Sequence, residues 1–275
     1  DHRDLHYPLR RQRQMCIRDR NKFEIHQFIC RADNYGVLVS DKNSGLTMSV
    51  DAPDALKIDE ELEKKKLNLT HLLITHKHQD HIDGIEYLKN KYDCIVLGPE
   101  SEKDQIPQLD ITLIGDEYID FSGSPIKVIE TPGHTLGHII FFFEREKILF
   151  AGDTLFLMGC GRVFEGTHEQ MFDSLKKIRA LPTDTVIYCG HEYSMANAKF
   201  ALSIYPNNEN IRNRYEHIQK AVSDKKHCLP TTLELELQTN PFLMYDDPIL
   251  RNKLGKIKST DLEVFSETRT QKDNF

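Results

Sequence analysis

Thr75-His76-Lys77-His78-Gln79-Asp80-His81 sets three histidines and an aspartate between positions 76 and 81. Side chains of these types, this crowded, serve to hold hard or borderline metal ions. The run follows Leu72-Leu73-Ile74, a short apolar stretch that reads as a strand. It precedes Ile82-Asp83-Gly84-Ile85-Glu86-Tyr87-Leu88, which begins a helical pattern. The ligands are therefore expected on a strand-to-helix loop, where α/β folds keep their chemistry. His76 and His78 are two apart and point the same way in an extended segment. Asp80 and His81 are adjacent and cannot easily face the same ion as that pair. The spacing predicts two ions, one taken by His76 and His78 and one by Asp80 and His81. An ion pair about 3.5–4 Å apart is the arrangement used for metal-assisted hydrolysis. A polar loop with accidental histidines is the bland reading, and the length and chemical coherence of the run count against it.

Two ions need more than four ligands, and three later stretches offer them. Thr131-Pro132-Gly133-His134-Thr135-Leu136-Gly137-His138 follows the apolar run 126–129. Phe150-Ala151-Gly152-Asp153-Thr154 follows Lys147-Ile148-Leu149, and Cys189-Gly190-His191-Glu192-Tyr193 follows Thr185-Val186-Ile187-Tyr188. Each is a strand end with a glycine just before the candidate ligand, where the backbone must turn tightly. A lone buried His or Asp is usually a hydrogen-bonded structural residue; three at successive strand ends make coincidence a poor explanation.

The run 75–81 resembles the signature of the metallo-β-lactamase superfamily. Gly133-His134-Thr135-Leu136-Gly137-His138, Gly152-Asp153-Thr154-Leu155-Phe156 and Gly190-His191-Glu192-Tyr193 narrow the resemblance, as do residues 159–167, Asn240-Pro241-Phe242 and Arg269-Thr270-Gln271-Lys272-Asp273. Together they are similar to the glyoxalase II (hydroxyacylglutathione hydrolase) family over residues 22–275. The resemblance implies a first metal held by His76, His78 and His134, a second held by Asp80, His81 and His191, and Asp153 bridging both. Two divalent ions are implied, zinc foremost, with iron or manganese as alternatives. Imidazole and carboxylate suit all of these and do not choose among them. His138 is expected outside the ligand set, as a hydrogen-bonding partner to it.

The chain has 275 residues, 39% hydrophobic and 29% charged, with a net charge of −7. That describes a globular protein of one large domain, or a domain with an appendage. The acidic balance argues against a general nucleic-acid binder, and no apolar stretch approaches a membrane span. Cys16, Cys30, Cys94, Cys160, Cys189 and Cys228 are scattered, without a C-x-x-C pair. Reduced thiols and a cytoplasmic setting follow. Cys160 and Cys189 are expected as small buried residues. The chain is expected to act as a monomer.

Residues 1–21 are crowded with arginine and lack the apolar region of a secretory signal. Asp1, Asp4 and Asp19 fit a mitochondrial presequence badly, and Met15-Cys16-Ile17-Arg18-Asp19-Arg20 reads like a translated sequencing adapter. The expectation is a non-native or disordered leader, with native sequence starting near Lys22. Reading the N-terminus of protein purified from its source tests this.

Strands are expected over 23–30, 35–40, 46–50, 72–75, 95–97, 111–114, 126–129, 139–143, 148–151 and 186–189. Pro53 is expected to open a charged helix reaching 66. A helix over 168–180 would set Met171, Phe172, Leu175 and Ile178 on one stripe. This succession fits layered α/β architecture; the αββα sandwich itself is implied by the resemblance. The catalytic domain is placed at 22–192. Beyond it, helices are expected over 195–205, 211–223, 231–238, 247–254 and 259–265, making a small all-helical domain at 193–275 that carries substrate choice.

In the resembled family that domain helps bind glutathione, whose carboxylates need cations. Arg269 and Lys272 are three apart and can share a helix face. The resemblance sends them to the glycine carboxylate, with Arg162 and Tyr193 completing the surface. On spacing alone they would be an ordinary solvated helix end. Some members carry Lys and Tyr where this chain has Arg162 and Phe164. The cation is kept, whereas Phe164 can make only an apolar contact.

The implied reaction is hydrolysis of S-(2-hydroxyacyl)glutathione, S-D-lactoylglutathione above all, in methylglyoxal detoxification. A metal-bridging hydroxide would attack the thioester carbonyl, with Asp80 orienting it. The rival readings are a persulfide dioxygenase, a lactonase or β-lactamase, a transfer-RNA nuclease of the same superfamily, and a non-catalytic metal-binding scaffold. The His191 motif, the helical tail, the acidic balance and the intact ligand set weigh against them in turn.

Overall fold

A computed structural model describes residues 22–275; the reading of 1–21 as a leader lies outside the described residues. Two six-stranded sheets face each other. The first runs β1 (Glu24–Cys30), β2 (Asn34–Ser40), β3 (Thr47–Val50), β4 (His71–Leu73), β5 (Ile95–Pro99), β6 (Ile111–Leu113) in order. It is antiparallel from β1 to β3 and parallel from β3 to β6. The second contains β7 (Tyr118–Phe121), β8 (Ser124–Glu130), β9 (Ile139–Phe143), β10 (Ile148–Phe150), β13 (Val186–Tyr188) and β14 (Thr231–Thr232), in the order β14-β13-β10-β9-β8-β7. Between them in sequence, β11 (Leu155–Phe156) and β12 (Gly159–Cys160) form a separate hairpin.

Period-two patterning sorts the side chains into layers. Tyr35, Val37, Val39, Leu73 and Leu97 join Ile126, Val128 and Phe141 between the sheets. Their neighbours Leu38, Leu72, Ile74 and Val96 point the other way. There they meet Ile58 and Leu62 of α1 (Ala55–Lys65) and Ile85 and Leu88 of α3 (Ile85–Tyr92). On the second sheet's side, α4 (His168–Arg179) buries Met171, Phe172, Leu175 and Ile178, the expected stripe. A capping box of Thr167 and Gln170 starts it. The result is the αββα order.

Several boundaries differ from expectation. Pro53 precedes α1, which starts after Asp54, whose carboxylate accepts from the Lys57 amide at 3.0 Å. The expected loop is shorter than the ligand run: α2 (Gln79–Ile82) already contains Asp80 and His81. The C-terminal part is helical, with α5 (Ser194–Ile204), α6 (Glu209–Ser223), α7 (Leu233–Thr239), α8 (Pro248–Lys253) and α9 (Asp261–Asp273). It is not purely helical, because Thr231 and Thr232 pair with Ile187 and Val186 and extend the second sheet. α9 runs well past 265 and includes Arg269 and Lys272. No helix among the described residues is long and apolar enough to cross a membrane. Cys30, Cys94, Cys160, Cys189 and Cys228 are free, and Cys160 and Cys189 are buried.

Candidate metal centre

Strand direction brings the candidate ligands together. β8 and β10 are both antiparallel to β9, and β10 is parallel to β13. Their C-terminal ends therefore share one edge, and the residues that follow are His134, Asp153 and His191. The His76–His81 run leaves β4 of the opposite sheet. The Ile139 amide donates to the Thr75 carbonyl at 2.9 Å, joining the two sheets there.

Glycines permit the approach. Gly152 has φ +47°, a left-handed conformation that lets β10 turn into Asp153. At Gly190 the reason is space: a Cβ there would lie 2.3 Å from Asp153 Oδ1 and 2.9 Å from His81 Cε1.

Seven side chains converge. His78 Nδ1 lies 3.1 Å from His76 Nε2 and 3.0 Å from His134 Nε2. His191 Nε2 lies 3.3 Å from His81 Nε2, 3.3 Å from Asp80 Oδ2 and 3.3 Å from Asp153 Oδ2. Asp153 Oδ2 is also 3.3 Å from His134 Nε2, and Asp153 Oδ1 is 3.6 Å from His81 Nε2. Among the described residues, three groups present ligand atoms within 4.8 Å of one another: His76, His78 and His134; His76, His81 and Asp153; Asp80, His81 and His191. Asp153 thus stands between the two expected triads.

Outer contacts aim the rings. His81 Nδ1 meets Asp51 Oδ2 at 2.8 Å, His191 Nδ1 meets Asp33 Oδ1 at 3.1 Å, and His134 Nδ1 meets the Arg162 carbonyl at 2.9 Å. An acceptor on one ring nitrogen holds the proton there and leaves the other nitrogen's lone pair for a metal. Asp153 Oδ1 is buried without a hydrogen-bond partner, and a buried anionic oxygen is costly unless a cation meets it. The donor set therefore fits divalent metal ions.

Charge among these side chains is divided. Burial, with His81 beside it, pushes His76 well below the ordinary histidine value, and burial lowers His134 and His138 too. At His81 burial opposes charge, but Asp153 and Asp51 outweigh it and raise the value well above normal. His191 rises to about 10 against its burial, driven by Asp153 and Asp80. The hydrogen bond from His191 holds Asp80 far below the carboxylate range. Asp153 is also held down, because His81 and His191 outweigh its burial.

His138 stands behind the ligands, accepting the Asp153 amide at Nε2 (3.0 Å) and meeting Thr131 Oγ1 at Nδ1 (3.0 Å). Other supporting residues carry no local signal. Asp51, at φ +59°, also accepts from the Thr75 amide at 2.7 Å. Buried Glu102 accepts from Lys77 N (2.7 Å) and Gly137 N (3.0 Å), tying two ligand loops together. Nothing in the sequence around them separates these residues from ordinary turn and helix residues.

A cavity of about 490 Å³ opens over the centre, and Arg162, Phe164, Tyr193, Arg269 and Lys272 all line it. Their situations differ. Tyr193 stacks on His191 with centroids 4.8 Å apart, and Phe164 packs 5.2 Å from His134 with 61% of its surface exposed. The Arg162 side chain is exposed. Arg269 is buried, donating to the Cys160 carbonyl (2.9 Å) and Asp273 Oδ1 (2.8 Å) over the Phe242 ring. Lys272 is half-buried and donates to the Ala196 carbonyl at 3.1 Å. Burial, then Arg269 and Arg162, lower its pKa. Asp273 and Phe275, neither foreseen, complete this wall.

An αββα sandwich with clustered histidines and aspartates at one edge defines a metal-dependent hydrolase of the metallo-β-lactamase superfamily, and residues 47–191 match that superfamily's model. Residues 192–275 match the hydroxyacylglutathione hydrolase C-terminus. The chain belongs to the hydroxyacylglutathione hydrolase (glyoxalase II) family. It is 47% identical over 252 residues to the hydroxyacylglutathione hydrolase of Rhizobium meliloti (strain 1021), covering 92% of this chain and 98% of that one. The Bartonella tribocorum enzyme of the same name is 47% identical over 251 residues, covering 91% and 99%. The crystal structure of ETHE1 from Myxococcus xanthus superposes with TM-score 0.64 at 22% identity, covering 90% of each chain. That of BLEG-1 B3 metallo-β-lactamase gives 0.63 at 20%, covering 80% and 99%. These two likenesses concern the fold.

Proposed function

We propose that the chain hydrolyses S-(2-hydroxyacyl)glutathione, S-D-lactoylglutathione foremost, to glutathione and the free 2-hydroxy acid. The observation that carries this reading is the convergence of two ligand triads around Asp153 at the floor of a cavity with a cationic wall. His76, His78 and His134 would hold one divalent ion, and Asp80, His81 and His191 the other, with Asp153 shared; zinc is the proposed metal, with iron or manganese as alternatives. When bound, such ions acidify a water, so that hydroxide is available at neutral pH, and polarise the thioester carbonyl.

The chain's own residues do the rest. Asp80, held ionised, accepts a hydrogen bond from the attacking water and orients it. Arg162 and Lys272 attract the tripeptide carboxylates, and buried Arg269 stiffens the wall beneath them. Tyr193 and Phe164 give the substrate apolar flanks beside His191 and His134. The departing thiolate is stable enough to leave without a strong acid. Residues 22–192 are read as the catalytic unit and 193–275 as the substrate-binding unit, working as a cytoplasmic monomer in methylglyoxal detoxification.

The test is metal analysis on the same preparation assayed with S-D-lactoylglutathione. Two ions per chain with thioester hydrolysis are expected. One ion, no hydrolysis and oxygen uptake with glutathione persulfide would replace this reading with a dioxygenase.

A further inference from the structure

Asp33, at the end of the β1–β2 turn, and Asn34, the first residue of β2, touch the second triad and not the first. Asn34 Nδ2 donates to Asp80 Oδ2 at 2.9 Å and lies 3.2 Å from the Asp80 carbonyl. The same nitrogen lies 3.4 Å from His191 Nε2; the two Asp80 oxygens are acceptors, so they set the amide's orientation. Next to it, Asp33 accepts from His191 Nδ1. Backbone contacts lock the turn there: Tyr35 N donates to Gly190 O at 2.8 Å, and Glu192 N donates to Asp33 O at 2.8 Å.

Asp80 is the ligand most in need of such a hold. Its side chain is 36% exposed, whereas those of His81, His191 and Asp153 are 2%, 5% and 6% exposed. Packing fixes the buried ligands, but an exposed carboxylate keeps its rotamers unless a partner removes them. Asn34, itself 4% exposed, supplies that partner. It bonds to the same oxygen, Oδ2, that faces His191 and His81. A carboxylate oxygen has two lone pairs, so this bond orients Oδ2 without using it up. The first triad is oriented elsewhere, by Thr75 Oγ1 at His76 and the Arg162 carbonyl at His134.

We infer that the Asp33-Asn34 pair is the positioning element of the second metal site, with Asn34 fixing Asp80 and Asp33 aiming His191. This rests on the two-ion reading above. Outer partners of metal ligands typically contribute about 10–100-fold in metal affinity, and here that contribution falls on one ion of the two.

The test is zinc titration of the metal-free full chain against a chromophoric chelator, for wild type, Asn34→Ala and Asn34→Asp. Both variants keep the backbone rungs of the turn, and their melting temperatures without metal report folding. The expected result is that N34A weakens the second zinc equivalent about 10–100-fold and leaves the first unchanged. N34D weakens it further, because a carboxylate then faces Asp80. Equal weakening of both equivalents, or none, overturns the inference while the two-ion reading stands. A wild type that takes up a single zinc overturns that reading and the inference with it.

Discussion

His191 shows how much one side chain can carry. It faces Asp80, Asp153 and His81 with one nitrogen and Asp33 with the other, while Tyr193 stacks on its ring. On the proposed reading, its replacement by alanine removes one of the three side chains that would hold the second ion. Metal analysis of His191→Ala is expected to show one ion per chain, and thioesterase rate is expected to fall at least about 100-fold. Unchanged metal content and turnover would remove the binuclear reading. Arg269 and Lys272 divide in a similar way. Lys272→Ala is expected to raise KM about tenfold with kcat nearly unchanged, since a substrate-attracting cation acts alike on ground and transition states. Arg269→Ala removes the donors to Cys160 and Asp273 from a buried site and is expected to cost about 3 kcal/mol, read as a melting temperature lower by about 6–12 °C. Equal effects of the two variants on stability would contradict this division.

Helix α1 illustrates the same logic at the scale of an element. Glu61 lies beneath β1, 2.9 Å from His26 Nε2 and 3.0 Å from both Lys57 and Lys64. Burial raises its pKa, but His26, Lys57 and Lys64 outweigh this and bring it down to about 2. A carboxyl lowered in the folded state stabilises above its unfolded value and loses that contribution as pH falls through the folded one. Glu61→Gln is therefore expected to be less stable than wild type by about 1 kcal/mol near pH 7. The gap should close between pH 4.5 and about 2. Denaturant unfolding at a series of pH values measures it; a gap that widens on acidification would refute the assignment. Similarly, α2 is an element defined by its ends: the His81 amide returns to the His78 carbonyl at 2.8 Å. This single turn is what separates Asp80 and His81 from the extended pair His76 and His78.

At the scale of the whole molecule, the space between the sheets and the C-terminal helices share one hydrophobic cluster. Phe172 of α4 packs 4.8 Å from Tyr245 and 5.6 Å from Phe265, and β14 closes the edge of β13. Phe200, Phe242 and Phe265 join the same buried cluster as Phe141 and Phe150 of the sandwich. Glu236 of α7 accepts from the Met158 amide at 2.8 Å, and Asn240 reaches the Gly159 carbonyl at 3.0 Å. Removing residues 193–275 would bare an apolar face and leave those groups unpaired. The truncated sandwich is expected to be insoluble or to lack a cooperative thermal transition; a soluble fragment melting like the full chain would show two independent cores.

Read in order, the chain already discloses the seven side chains that converge, most of its strands and the α4 stripe. Each rests on local identity and periodicity, which a linear string retains. The short strands β7, β11 and β14 escape such a reading because their register comes from partners far away in sequence. Asp33, Asn34, Asp51 and Glu102 escape it for the same reason. Each looks like any polar residue of a turn or helix until the fold brings it to a ligand loop, as Asp33 is brought to His191 across 158 positions. Folding alone also decides which cation is buried and which is exposed: Arg269 turns inward to Cys160 and Asp273, whereas the Arg162 side chain stays exposed, 3.7 Å from Asp273 Oδ1. Residue type sets what a group can bond to, but only three-dimensional packing sets whether water or protein supplies the partner.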